Sequence, residues 1–305
     1  MGLDEVLQEI AQGIHPYLAK GKVASYIPAL RHVPLTKFGM AVCMVDGAEF
    51  AIRDAAEQFS IQSISKLFTL MLAMSRIGDE VWRHVGKEPS GTAFNSLVQL
   101  EYEKGIPRNP FINAGALTVL DCLMANTRGR TADVIRDYAR VLSRNFGVDY
   151  DEKVYASELK AAYRNRSIAN LLRAHGRIQQ EPEHLLDTYC RQCSLEMSCV
   201  DLARAFLPLA NGGHSPLLRE TVLTERQARR INAILMTSGV YDSAGSFAFR
   251  VGLPAKSGVG GGIVAVVPRR CCIAVWSPGL DRAGNSLAGI AALEMFVRAT
   301  RMSIL

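Results

Sequence analysis

The chain has 305 residues, of which 49% are hydrophobic and 21% charged. That mix is globular and excludes disorder, collagen and coiled coil as descriptions of the whole chain. A chain this long buries roughly three quarters of its unfolded surface, so no disulfide or metal is needed to hold a core. The net charge of +6 is compatible with nucleic acid or an acidic ligand. Yet Arg128, Arg130, Arg136, Arg140 and Arg144 interleave with Asp133, Asp137 and Asp149, and no nucleic-acid motif accompanies them. The pattern reads as solvated helix faces, with no nucleic-acid partner.

In chain order, Asp4 to Leu18 has helical apolar spacing at Val6, Leu7, Ile10 and Ile14. Phe38 to Ile52 reads as a hairpin, with Asp46-Gly47 as its turn between apolar runs. Ser60 is placed to cap a helix that is apolar nearly all round, from Leu67 to Met74, and so central and buried. Gly86 to Pro110 has little periodicity and reads as a long ordered loop. Helices are expected at 114–125, 132–144, 157–174, 183–189 and 200–210, with Asn211-Gly212-Gly213 as a stop. Phe247 to Phe249 reads as a short strand. Strands follow at 263–267 and 271–276, joined by Pro268-Arg269-Arg270, and a last helix runs over 286–298. Strands at both ends and helices between predict an α+β fold, with one antiparallel sheet built from both chain ends, flanking helices and a helical subdomain. A single domain over 1–305 is expected. Its sheet part covers about 1–62 and 225–305, and its helical part about 63–224.

Seven cysteines, with no secretion signal in Met1 to Lys20, predict reduced thiols in a cytoplasmic protein. Cys190-x-x-Cys193 lacks the companion ligands of a zinc site and reads as packing. No apolar run approaches the ~18 residues of a membrane span.

The chemistry concentrates in two motifs. Ser63 and Lys66 lie three apart, on one helix face near a helix N-terminus. Serine needs a base to take its proton, and lysine is a base only where burial lowers its pKa. Ser-x-x-Lys also occurs at Ser157 to Lys160, so the motif alone selects neither. Lys256-Ser257-Gly258, 193 residues after Ser63 and before a glycine-rich strand, is the second element of the serine acyl enzymes that begin a helix with SxxK. Its glycines let backbone approach a ligand closely, or else relieve crowding in a bent strand.

Longer phrases carry a more specific resemblance. They include Gly21-Lys-Val-Ala-Ser-Tyr-Ile-Pro28, Phe59-Ser-Ile-Gln-Ser-Ile-Ser-Lys66, Val85-Gly-Lys-Glu-Pro-Ser-Gly91 and Asn109-Pro-Phe-Ile-Asn-Ala-Gly-Ala116. Cys193-Ser-Leu-Glu196, Gly239-Val-Tyr-Asp242 and Gly252-Leu-Pro-Ala-Lys-Ser-Gly-Val259 complete the set. Over nearly its whole length the chain resembles the serine-dependent glutaminases of bacterial type, a branch of the β-lactamase/transpeptidase-like fold. The resemblance implies hydrolysis of L-glutamine to L-glutamate and ammonia, without cofactor or metal, by a homo-oligomer that is a dimer or tetramer.

It also implies roles. Ser63 resembles the nucleophile, Lys66 its base, Tyr241 a tyrosine that contacts the nucleophile, and Val259 the residue whose N–H joins that of Ser63 in an oxyanion hole. Tyr26, Asn113, Glu158, Asn165 and Tyr189 resemble substrate-contacting side chains, and Lys256 supports the site. Glu158, the one carboxylate of the set, suits the substrate ammonium; the amides and phenols suit its carboxylate. Taken singly, Asn113 also reads as a helix N-cap. Glu158 and Asn165, seven apart, read as solvated neighbours on one helix face, and Tyr189 and Tyr241 as core aromatics. The competing functions are another serine amidase of this fold, an inactive binding protein on it, or a basic nucleic-acid binder.

Overall fold

The structure, a computed structural model, describes residues 2–91, 93–127 and 129–305. Met1 and Arg128, the first of the basic run, lie outside the described residues, as does Thr92 of the long loop. The amphipathic N-terminal segment forms α1 (Leu3–Gly13), burying Val6, Leu7 and Ile10. The hairpin follows as β1 (Gly39–Met44) and β2 (Glu49–Arg53). At its turn Asp46 Oδ1 accepts the Ala48 N–H at 2.9 Å.

The segment around the nucleophile candidate departs from a simple capped helix. Ser60 belongs to the short strand β3 (Phe59–Ser60), opposite Glu196, and is no N-cap. A 3₁₀ turn, Gln62–Ile64, leads into α2 (Ser65–Ile77). The central, buried character of α2 is as expected, since Ser65 to Met74 are all buried. The long loop holds a short helix, α3 (Leu97–Tyr102), capped by Ser96 and anchored by buried Leu100. Six residues give too short a periodic signal to be read from sequence.

The middle of the chain supplies α4 (Asn113–Met124), α5 (Thr131–Ser143), β4 (Asp149–Tyr150), α6 (Glu152–Ala161), α7 (Tyr163–Ala174), α8 (Pro182–Cys193), β5 (Leu195–Met197) and α9 (Cys199–Ala210). The helix expected over 157–174 is therefore two, with Ala162 between them. Alanine is the best helix former, so the residue does not announce the break. Packing imposes it: both helices pack on α8, but α6 also rests on the turn at 28–30 and α7 on α4.

Strands β6 (His214–Ser215) and β7 (Glu220–Thr221) precede α10 (Glu225–Ser238). Phe247 to Phe249 are helical within α11 (Ala244–Arg250), not a strand. Phe-Ala-Phe alternates as a strand would, but in α11 Phe247 is buried and Phe249 exposed, because residues two apart point to nearly opposite sides of a helix; three residues are too few to tell the two periods apart in sequence. Then come β8 (Ala255–Ser257), β9 (Gly262–Val267), β10 (Cys271–Trp276) and α12 (Leu287–Thr300).

The main sheet is antiparallel in the order β2-β1-β10-β9-β8, built from the two ends of the chain as expected. Met40 pairs with Val275, and Cys272 with Val266. Strands β9 and β10 are buried along their length because α12 covers one face and α9 the other. Edge strand β8 packs beside the 3₁₀ turn at 62–64, which brings Lys256-Ser257-Gly258 to the start of α2.

Candidate active site

Ser63 sits at the entrance to α2, with Lys66 one turn on; they are 8% and 2% exposed. Gln62, just before them, has φ +49°, a strained left-handed conformation for a non-glycine residue. Lys66 Nζ donates to Phe111 O at 3.0 Å and to Asn113 Oδ1 at 2.7 Å. Burial draws its pKa from 10.5 down to about 8, against a weaker upward pull from Cys193 and Glu158. The second Ser-x-x-Lys has no such setting, since Ser157 lies on α6 and its Oγ accepts the Ala29 N–H.

Local chemistry presents both acceptors of Lys66. Asn109 Oδ1 accepts the N–H groups of Phe111 and Ile112 at 3.0 and 3.1 Å, folding the chain tightly before α4. A Cβ on Gly115 would lie 1.8 Å from Asn109 O, so only glycine lets that turn close on the helix. Asn113 is the first residue of α4, not its cap. Its side chain points inward and donates Nδ2–H to Asn165 Oδ1 at 2.8 Å.

Tyr241 also has a positive φ, +55°. Its buried hydroxyl has no hydrogen-bond partner among the described residues. The Ser63 and Ser257 hydroxyls and the Val259 N–H stand close enough to favour its ionised form, without meeting hydrogen-bond geometry. Burial outweighs them and raises its pKa. Lys256 Nζ lies 4.9 Å from the centre of the Tyr241 ring and donates to Gly239 O at 3.1 Å and Ser257 O at 2.6 Å. Burial, with Lys66 nearby, holds its pKa well below the ordinary value.

The turn carrying Val259 lies flat against the chain before Ser63. A Cβ on Gly258 would approach Ile61 O to 2.4 Å, and one on Gly260 would approach Ser60 O to 2.1 Å. The glycines therefore do more than relieve a bent strand: they set the Val259 backbone beside the nucleophile segment.

Ser63 and Val259 open onto a cavity of about 200 Å³, which Tyr26, Asn113, Asn165 and Tyr189 also line. Glu158 lies in its wall, 9% exposed, and accepts from Gln62 Nε2 at 3.2 Å. Burial raises its pKa to about 7, opposed by Gln62, Cys193 and Lys66. Tyr189 donates to Asn113 Oδ1 at 3.4 Å. Tyr26 stands at the rim and is 60% exposed as a residue, while its hydroxyl end is crowded enough for burial to raise its pKa. Glu158 and Asn165 do not share one helix face; they reach the same cavity from α6 and α7, on either side of the break at Ala162.

The residues named from the sequence thus converge, with Lys66, Tyr241 and Lys256 behind the cavity wall. From the sequence, several neighbours are assigned no role at the site. Gln62 holds Glu158. Phe94 lines the cavity, and its ring centre lies 4.9 Å from that of Tyr241. Arg164 lines the cavity and donates Nε–H to Asn95 O at 2.9 Å. Cys193 lines it too, so one thiol of the Cys-x-x-Cys pair adjoins the site in addition to packing in the interior.

Residues 21–305 match the family described as Glutaminase. A glutaminase of Caulobacter vibrioides is 58% identical over 305 residues, covering 100% of this chain and 99% of that protein. A solved structure described as the probable glutaminase ybaS superposes with a TM-score of 0.94 at 34% identity, covering 100% of this chain and 99% of the other. A second, Mglu in its glutamate form, gives a TM-score of 0.90 at 34% identity, covering 99% of this chain and 68% of the other.

Proposed function

The chain belongs to the glutaminase family, and we propose that its hydrolysis of the side-chain amide of L-glutamine to L-glutamate and ammonia runs through an acyl-enzyme on Ser63. The observation that carries this reading is the setting of Lys66. A neutral amine has two N–H bonds and one lone pair. Phe111 O and Asn113 Oδ1 take the two N–H bonds. The lone pair takes the remaining tetrahedral position, and we assign it to Ser63, three residues before Lys66 at the entrance to α2. With a pKa near 8, an appreciable fraction of the lysine is neutral at neutral pH.

In this reading Ser63 Oγ attacks the amide carbon and its proton passes to Lys66, directly or through the Tyr241 hydroxyl. The carbonyl oxygen takes the charge and is held by the N–H groups of Ser63 and Val259. The C–N bond breaks, the proton goes to the departing nitrogen, and ammonia leaves a glutamyl ester on Ser63. Water, giving its proton to the same base, cleaves the ester and frees glutamate. Glu158 pairs with the substrate ammonium; Tyr26, Asn113, Asn165 and Tyr189 bond its carboxylate. Lys256 supports the site by tying Gly239 O and Ser257 O together beneath Tyr241.

The reading takes 1–305 as one domain, whose sheet part and helical part meet at this site. It further places the protein in the cytoplasm as a homo-oligomer, dimer or tetramer. The seven free, buried cysteines support a reducing compartment. Ammonia release from L-glutamine by the wild type and Ser63→Ala tests the chemistry, with L-asparagine and a chromogenic β-lactam alongside. Glutamine-specific release that falls by about 10⁴-fold or more in a folded Ser63→Ala protein is the expected result. Near-normal release in that variant would end the serine-nucleophile reading. Turnover of the β-lactam instead would assign another serine amidase.

A further inference from the structure

Among the residues that line the cavity, those with a formal charge are Glu158 and Arg164. One anion and one cation match the two charged ends of a free α-amino acid. They differ in setting. Glu158 is buried in the wall, with a pKa raised to about 7, whereas Arg164 is exposed. Arg164 has no ion-pair partner among the described residues; the bond it makes is from Nε to the Asn95 carbonyl. That bond fixes the guanidinium plane beside the cavity and leaves the Nη groups to a ligand, in the fork geometry that suits a carboxylate. The neighbouring backbone adds to it. Arg164 and Asn165 lie in the first turn of α7, whose N-cap, Ala162, has no capping side chain. The first turn of a helix is electropositive.

We propose that Arg164 is a specificity-determining residue for the free α-carboxylate of the substrate. This rests on the glutaminase reading above. Ammonium recognition is deep and desolvated; carboxylate recognition by Arg164 is at the mouth and open to water. Arg164 therefore acts on capture and on the choice among glutamine derivatives, not on bond breaking at the far end of the molecule.

The test compares L-glutamine with L-glutamine methyl ester, whose α-carboxylate is capped and whose side chain is its one source of ammonia. Kinetics are run on wild type, Arg164→Gln and Arg164→Lys, at low salt and near 1 M salt. In Arg164→Gln the KM for glutamine should rise about 3- to 30-fold with kcat within twofold, and the preference for glutamine over its ester should narrow by the same factor. The rise should shrink at high salt, because an exposed charge is screened. Arg164→Lys, which keeps the charge without the planar fork, should recover part of the KM. Equal losses on both substrates, or a fall in kcat, would show that Arg164 merely braces Asn95, and would overturn the proposal. So would unchanged kinetics. No ammonia from wild type with either substrate would instead remove the glutaminase reading itself, before any variant is compared.

Discussion

Lys66 Nζ donates to Asn113 Oδ1 at 2.7 Å, and the same asparagine donates to Asn165 Oδ1 at 2.8 Å. The proposed base and two proposed substrate contacts are thus parts of one hydrogen-bonded unit. What sits in the cavity is felt at the lysine, and the protonation of the lysine is felt in the cavity.

The pH dependence follows. The base must be neutral to accept a proton, so kcat/KM should rise with pH through about 8, where Lys66 of the free enzyme loses its charge. Asn113→Asp places a carboxylate beside Nζ and favours the charged amine, which should move that rise about 1 to 3 units to higher pH. A kcat/KM profile in the variant that superimposes on wild type would rule out Lys66 as the titrating base.

Lys66→Met should separate stability from activity. Turnover should be lost. Burial lowers the folded-state pKa from 10.5 to about 8, so the ionised lysine costs the folded state about 3 kcal/mol below pH 8. That cost fades as pH rises from 8 to 10.5, because there the unfolded chain binds more protons than the folded one. Against it stands Phe111 O, which methionine leaves unpaired, whereas Asn113 Oδ1 keeps the Tyr189 hydroxyl. Thermal melts should put the variant level with or above wild type at pH 7, with any advantage shrinking towards pH 10.5. A variant clearly less stable at pH 7 would refute this account of the burial cost.

Tyr241→Phe removes a buried hydroxyl that has no partner among the described residues. Leaving such a group unsatisfied costs about 1 to 3 kcal/mol. The phenylalanine variant should therefore melt higher, while its kcat falls about 10²-fold if the hydroxyl relays the Ser63 proton. Higher stability with undiminished kcat would take Tyr241 out of the proton path.

Glu158→Gln should lower kcat/KM for glutamine by about 10²-fold or more, since the substrate ammonium would enter a closed wall without a counter-charge. Because Glu158 has a pKa near 7, wild-type kcat/KM should fall as pH drops through 7, a limb the variant should lack. Normal kinetics in the glutamine variant would remove Glu158 from substrate recognition.

Gly260→Ala tests the backbone placement of Val259. Its Cβ would lie 2.1 Å from Ser60 O, a backbone atom that cannot rotate away, so the turn must move off the Ser63 segment. Loss of one oxyanion donor is worth about 10²- to 10³-fold in kcat, and that is the expected deficit. Gly245→Ala on α11 has open space around its Cβ and serves as the control, with kinetics like wild type. A Gly260→Ala enzyme of normal kcat would disconnect this turn from catalysis.

From the sequence by itself came the order of strands at both ends and helices between, the hairpin at Asp46-Gly47, the buried helix after Ser63, and the residues that gather at the cavity. The first three are signals of local period and turn chemistry; the residues at the cavity came from the family resemblance that the long phrases carry. Tertiary structure decided the rest. Ala162 breaks a helix that its own propensity would continue, because α6 and α7, which share α8, are drawn apart by the turn at 28–30 and by α4. The break is what lets Glu158, Asn165 and Arg164 face one cavity. Ser60 is a strand residue because Glu196 pairs with it from 136 positions away. The lowered pKa of Lys66, the raised pKa of Glu158 and the unpartnered hydroxyl of Tyr241 are likewise invisible in the chain. Each depends on how much water the packed fold excludes from a side chain, and exclusion of water is a property of the assembled interior, not of any stretch of sequence.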